Sequence, residues 1–266
     1  MPKTVAIIPA RYASTRLPGK LIKNEAREHT GKYLIEHVYG NVMNAKNVHE
    51  VIVATDDERI AEAVKKFGGC VKMTSTNHKS GTDRIAEVAS NLDADFVMNI
   101  QGDEPDVKGR MIDDLIESMY DEKEAVVCTF ANKIKSMEEF TDPNAVKVVI
   151  DKDSYAMYFS RATIPYIRDE NNNPKSSMLE STSDTVDTGS NTSFLFLKHL
   201  GIYMYRKDFL LRFSSLAIPD IEEIEKLEQL RVLSNGYKIK VIVTPYMCEG
   251  VDTLEDFERF LDKYRI

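Results

Sequence analysis

The chain has 266 residues, 42% of them hydrophobic and 29% charged, enough for one sizeable core or a core with a subdomain. Its formal net charge of −8 argues against nucleic acid or an anionic membrane surface as partner, while a local basic cluster can still take an anionic small molecule. The three cysteines, Cys70, Cys128 and Cys248, are odd in number and far apart, and read as buried thiols of a reducing compartment and not as a disulfide set or metal site.

The N-terminal Met-Pro-Lys leads into an apolar segment of a few residues with no signal-peptide pattern. No apolar run approaches the roughly 18 residues of a membrane span, so the expectation is a cytoplasmic protein without membrane contact. The spacing then predicts a strand at Val5–Pro9, helical packing over Tyr33–Ala45, a strand at Val51–Thr55 and a helix over Glu58–Phe67 stopped by Gly68-Gly69. Further on it predicts a strand at Cys70–Met73, a helix over Asp83–Ala89, a strand at Asp95–Ile100, a helix over Gly109–Tyr120 and a strand at Ala125–Phe130. Strands alternating with helices in this way indicate an α/β chain with a mostly parallel sheet and helices on both faces, whose ligands bind at the carboxyl ends of strands.

Beyond about Asp142 the pattern changes. Val146–Ile150 and Lys198–Tyr205 read as strands, and Ser154–Tyr158 is less regular. The segment Arg168–Thr192, rich in Asn, Ser, Asp and Thr, reads as a long exposed insertion. A helix is predicted over Asp220–Leu233, a strand over Lys238–Val243, and a capped helix from Asp252 or Thr253. The expectation is a single domain over 1–266 containing a smaller region at 142–210.

Three segments carry chemistry. Directly after the first strand, Pro9-Ala10-Arg11-Tyr12-Ala13-Ser14-Thr15-Arg16-Leu17-Pro18-Gly19-Lys20 sets three cations on a loop with Gly, Ser and Thr. Arginine forks and a lysine point charge suit a polyphosphate at such a position, although the loop lacks the GxxxxGK[ST] pattern. A solvated basic loop is the plainer alternative. Next, Asn99-Ile100-Gln101-Gly102-Asp103-Glu104-Pro105 puts a carboxylate at a strand tip beside a glycine, which suits Mg²⁺ held with phosphates or else a simple strand–helix turn. Asp252 is a candidate second carboxylate and equally a candidate N-cap of the last helix. Finally, Ser80-Gly81-Thr82-Asp83 opens a helix with backbone groups able to meet a base or phosphate, or merely caps it. Taken singly, Arg161, His199 and Glu228 read as a salt-bridging arginine, a satisfied core histidine and one face of an amphipathic helix.

Together the segments PARYASTRLPGK, VATDDERI, HKSGTDR, NIQGDEP, NAVKVV, YFSRATIP, HLGIY, LEQLRVL and GVDTLED closely resemble, in order and over nearly the whole chain, the 3-deoxy-manno-octulosonate (Kdo) cytidylyltransferases. The resemblance implies a nucleotide-diphospho-sugar-transferase-like fold, a homodimer built through the smaller region, and Mg²⁺-dependent transfer of CMP from CTP to Kdo. It implies that Arg11, Arg16 and Lys20 hold the triphosphate, with Arg16, Lys20 and Asp103 serving catalysis. Ser80 and Gly81 would lie by the cytosine, Asp103 and Asp252 would bind Mg²⁺, and Arg84, Gln101, Arg161, His199, Tyr203, Glu228 and Gln229 would line the sugar site.

Two departures from the family pattern stand out. Leu21 replaces the proline that usually follows the lysine, with Asn24–Thr30 lengthening the loop, and the stretch between Pro165 and His199 is extended. Rival readings are a cytidylyltransferase for 8-amino-Kdo or another acidic sugar, and a non-catalytic CTP-binding module on the same fold.

Overall fold

Thr4–Ala10 forms β1, and all seven of its residues are buried, as the central strand of a parallel sheet covered on both faces requires. The computed structural model describes residues 2–13, 16–166 and 196–263. After β1 come α1 (Asn24–Thr30), α2 (Leu34–Met43), β2 (Glu50–Thr55), α3 (Glu58–Lys66), β3 (Cys70–Met73), α4 (Gly81–Ser90), β4 (Phe96–Asn99), α5 (Gly109–Asp121) and β5 (Ala125–Lys133). The chain continues through α6 (Met137–Thr141), β6 (Lys147–Ile150), β7 (Ala156–Ser160), β8 (Leu197–Arg206), α7 (Lys207–Phe213), α8 (Asp220–Glu225), α9 (Leu230–Ser234), β9 (Lys238–Val243) and α10 (Leu254–Asp262).

The chain divides into two compact units. The first comprises Met1–Cys128, Gly201–Ser215 and Met247–Ile266, and the second Thr129–Leu200 and Leu216–Tyr246. The second unit therefore starts earlier than the expected 142–210, and it takes in α8, α9 and β9 while leaving most of β8 to the first.

In the first unit β1 pairs in parallel with β2 on one side and β4 on the other, β3 extends β2 in parallel, and β8 pairs antiparallel with β4. The helices pack by their apolar stripes. On α5 the buried residues are Met111, Ile112, Leu115, Ile116 and Met119, a one-sided pattern of helical period. On α3, Asp57 caps the N-terminus by accepting from the Arg59 N–H, and Ile60, Ala61, Ala63 and Val64 face inward. In the second unit β6 pairs antiparallel with both β7 and β8.

Most predicted elements are present to within a few residues, and the differences have local causes. Asn24–Thr30, expected only as extra loop, is α1: Ala26 is buried, and Gly31 at φ 78° ends the helix by donating to the Arg27 carbonyl. Ser154–Tyr158 turns at Ser154 and then runs as a true strand from Ala156. The single helix expected over Asp220–Leu233 is broken into α8 and α9 at Lys226, which sits in the left-handed region at φ 53°. The α7 helix, not anticipated, buries Phe209, Leu210 and Phe213. The segment 168–192 lies outside the described residues. Among the described residues no helix is long and apolar enough to cross a membrane.

Candidate active site

The carboxyl ends of β1 and β4 lie side by side, because the parallel register sets Ile7 opposite Asn99. Beyond them a cavity of about 280 Å³ is lined by Arg11, Lys20, Gly81, Gln101, Gly102 and Asp103. All of these residues belong to the first unit, and all but Gly102 were expected at a ligand. Gly102 matters by its missing side chain, since a Cβ there would stand 3.3 Å from the Pro9 carbonyl oxygen and 3.4 Å from Leu21.

Lys20 is the centre of the site. Only 7% exposed, it donates from Nζ to Asp103 Oδ2 at 2.5 Å and to Asp252 Oδ1 at 2.8 Å. Burial would lower its pKa, but the Asp103 and Asp252 carboxylates outweigh that and hold the ammonium above its ordinary value. Arg16 donates to the other Asp252 oxygen, Oδ2, at 2.9 Å. Lys20 reaches this place through a tight turn. Gly19 at φ 68° donates its N–H to the Tyr12 carbonyl, and its α-carbon packs so closely that a Cβ would lie 3.0 Å from the Tyr12 ring.

Asp252 is brought to Asp103 by the backbone: the Val251 N–H donates to the Asp103 carbonyl at 2.8 Å. It is not the cap of α10. That role falls to Thr253, whose hydroxyl accepts from the Asp256 N–H while the Asp256 carboxylate accepts from the Thr253 N–H in a reciprocal capping box. The Asp252 carboxylate is thereby left for Lys20 and Arg16.

Two hard carboxylates converging on one ammonium are also the donor set that a divalent cation takes. Among the described residues no third His, Cys, Asp or Glu joins them. The remaining coordination would fall to phosphate and water oxygens, the usual arrangement for Mg²⁺. The residues present thus fit that ion.

The segment before α4 forms one wall. Ser80 caps the helix by accepting from the Asp83 N–H, so the capping reading of this residue holds in the structure, and Gly81 lines the cavity. Arg11 donates from Nη2 to the His78 carbonyl at 3.1 Å, and the His78 ring pairs with Glu87. Ser14 and Thr15 lie outside the described residues.

Of the expected sugar-site residues, Gln101 and Tyr203 belong to the first unit and share one end of its sheet, since Tyr203 on β8 stands opposite Asn99 on β4. The Arg84 guanidinium is fully buried, ion-paired with Asp56 at 3.1 Å and donating to Thr74, so it braces α4 against the end of β2. In the second unit His199 is 9% exposed, bonded through Nε2 to Thr129 Oγ1 at 3.0 Å and set edge-on to Phe159. Burial pushes its pKa down to about 3, so the ring is neutral. Gln229 is buried and Glu228 half-buried, both in the turn between α8 and α9. Arg161 is half-buried after β7 and held by main-chain carbonyls, donating from Nε to Glu225 O at 2.8 Å and from Nη1 to Pro143 O at 3.0 Å.

Sequence reasoning passed over Glu104. Its Oε2 is buried with no hydrogen-bond partner among the described residues, and Oε1 stands 3.4 Å from where a Gly201 Cβ would be. Burial, with the charges of Asp103 and Asp252, pushes its pKa up to about 8. Its place directly after Asp103 was the available signal.

The chain is similar to known proteins over nearly its whole length. A cytidylyltransferase family profile matches residues 5–239. The 3-deoxy-manno-octulosonate cytidylyltransferase of Geobacter metallireducens is 48% identical over 98% of this chain and 97% of its own. That of Geotalea uraniireducens is 47% identical over 99% of each. A solved CMP:2-keto-3-deoxy-manno-octonic acid synthetase complexed with CTP superposes with a TM-score of 0.84 at 38% identity, covering 98% of both chains.

Proposed function

The chain belongs to the cytidylyltransferase family, and on that footing we infer that it is a nucleotidyltransferase moving CMP from CTP to Kdo with release of pyrophosphate. The observation that carries the reading is the Lys20 ammonium shared by Asp103 and Asp252 on the wall of the cavity beyond β1.

The chemistry follows from charge and position. The anomeric hydroxyl oxygen of the sugar bonds to the α-phosphorus as the bond to the pyrophosphate oxygen breaks, and the hydroxyl proton is lost to solvent. Such a displacement needs reactants held in line and charge neutralised, with no covalent intermediate on the protein. Arg11, Arg16 and Lys20 are proposed to take the triphosphate oxygens, exchanging their present carbonyl and carboxylate partners for phosphate, and to stabilise the leaving pyrophosphate. Ser80 and Gly81 are proposed to meet the cytosine. Asp103 and Asp252 are proposed to hold Mg²⁺, which when bound neutralises phosphate charge and acidifies the attacking hydroxyl. Gln101 and Tyr203 in the first unit, and Arg161, His199, Glu228 and Gln229 in the second, are proposed to bind the sugar.

A homodimer working in the cytoplasm, where CTP is made, completes the proposal. The second unit exposes Met157, Tyr166 and Ile224 at 63%, 85% and 78%, apolar surface of the kind that a partner copy covers. Sedimentation at micromolar concentration measures this directly, and a strictly monomeric protein sinks it.

The deciding assay is pyrophosphate release with CTP and Mg²⁺, comparing Kdo, 8-amino-Kdo and N-acetylneuraminate, with EDTA as control. Release with Kdo that EDTA abolishes is the expected result. Release only with another sugar overturns the sugar half of the reading, and silence with all three despite CTP binding leaves a binding module.

A further inference from the structure

Arg161 is held in an unusual way for a buried-edge arginine. Its Nε and Nη1 donate only to neutral oxygens, the carbonyls of Glu225 and Pro143. Among the described residues no carboxylate pairs with the guanidinium and Nη2 has no partner. Yet a carboxylate is at hand. Glu225 spends both its oxygens on other donors, Oε2 accepting the Arg161 main-chain N–H at 2.9 Å and Oε1 accepting the Ser160 hydroxyl at 2.5 Å. The same residue thus fixes Arg161 twice, by its side chain on the backbone and by its backbone on the side chain.

A second cation supports the arrangement from beneath. Lys147 on β6 is fully buried, and its Nζ donates at 2.7 Å to the Arg161 carbonyl and at 2.9 Å to the Asp142 carbonyl. It too has only neutral acceptors, since the Asp142 carboxylate is turned to the N–H and amide of Asn144. Burial lowers the pKa of this ammonium, and the nearby Asp142 and Glu225 charges offset that only in part. Lys147 thus braces the Arg161 main chain from within, while the guanidinium keeps an edge, Nη2, that no acceptor among the described residues takes. The break between α8 and α9 belongs to the same device, because the Glu225 carbonyl that would continue the helix is taken by Arg161.

We propose that Glu225 and Lys147 are positioning residues for Arg161, Glu225 taking its Nε by a carbonyl and its main-chain N–H by the carboxylate and Lys147 donating to its carbonyl, so that the Nη2 edge stays available to the carboxylate of the acidic sugar. The proposal rests on the sugar specificity inferred above and deepens it, making selection for an acid a property of three residues and not one. A guanidinium already paired with Glu225 would have to break that pair first and would discriminate less.

The test is a double-mutant cycle on the full-length protein, read as KM for Kdo and KM for CTP separately, with the carboxamide of Kdo as a neutral comparison substrate. Glu225→Gln is expected to raise KM for Kdo about tenfold, the size of one lost charge-assisted hydrogen bond, with KM for CTP unchanged. The preference for Kdo over its carboxamide should narrow by the same factor. In an Arg161→Ala background Glu225→Gln should cost nothing further, since it acts through the arginine. Lys147→Met should behave likewise, and thermal melts identify a variant that has simply failed to fold. An unchanged KM for Kdo in a folded Glu225→Gln protein overturns the proposal, as does a loss that persists without Arg161 or that falls equally on CTP. A wild type silent with every acidic sugar sinks the functional reading and this proposal together, whereas an active wild type with an indifferent Glu225→Gln sinks this proposal alone.

Discussion

The Val251 N–H donates to the Asp103 carbonyl at 2.8 Å, and through that one backbone bond a carboxylate from the start of α10 is set beside the tip of β4. Lys20 then closes the pair by donating to both side chains. The electrostatics of the site depend on this join more than on any single side chain, because either carboxylate alone would be an ordinary partner for a lysine.

Asp103→Asn is expected to lower turnover by about 10²-fold or more in a protein that still folds, because it removes a charged ligand from the proposed cation site and keeps its shape. Pyrophosphate release at limiting Mg²⁺ measures it, and near wild-type turnover there refutes the metal assignment. Chelation should silence the wild type and added Mg²⁺ restore it, with Asp252→Asn requiring more Mg²⁺ for half-maximal rate.

Gly19→Ala places a side chain at φ 68° with its Cβ 3.0 Å from the Tyr12 ring. The left-handed backbone alone costs about 1–2 kcal/mol for a residue with a Cβ. Urea unfolding should show at least that loss, and KM for CTP should rise as Lys20 is displaced. Unchanged stability would mean that the turn relaxes to another shape.

Thr253→Ala removes the cap of α10 and should cost about 1 kcal/mol in urea unfolding, with Thr253→Ser recovering most of it. Asp252→Asn should leave this part of the stability intact, because Asp252 does not cap the helix. Equal losses from the two would contradict the division of labour between them.

His199 is held neutral by burial, its pKa taken from 6.5 to about 3, so between those values the folded chain binds fewer protons at this site than the unfolded chain. Its contribution to stability is therefore present above pH 6.5 and is lost as pH falls through that window, at roughly 1 kcal/mol per pH unit. Glu104, whose pKa is raised, contributes with the opposite sign, so the measurement is the difference between wild type and His199→Gln. The variant should lose less stability than the wild type between pH 6 and 4. Parallel curves would show a ring that protonates without penalty.

How much of this was legible beforehand depended on the range of the interactions. The strand at Val5–Pro9 and the cationic loop after it are local patterns, and the structure has both. Asp252 was ambiguous because Asp and Thr are both good caps and adjacent; only the reciprocal bonds of Thr253 and Asp256 resolve it. The pairing of Arg84 with Asp56 was not legible in the sequence, since it joins α4 to the turn between β2 and α3. The break at Lys226 was hidden for the same reason: the apolar pattern over 220–233 runs on, and the competitor for the Glu225 carbonyl lies on β7's extension.

Lys20 and Asp252 are 232 positions apart. On a ribosome the lysine is made long before its second carboxylate, so a nascent chain carries the cationic loop well before the join that sets Asp252 beside Asp103 can form. A chain cut ahead of position 252 would leave Lys20 with Asp103 as its one carboxylate of the pair.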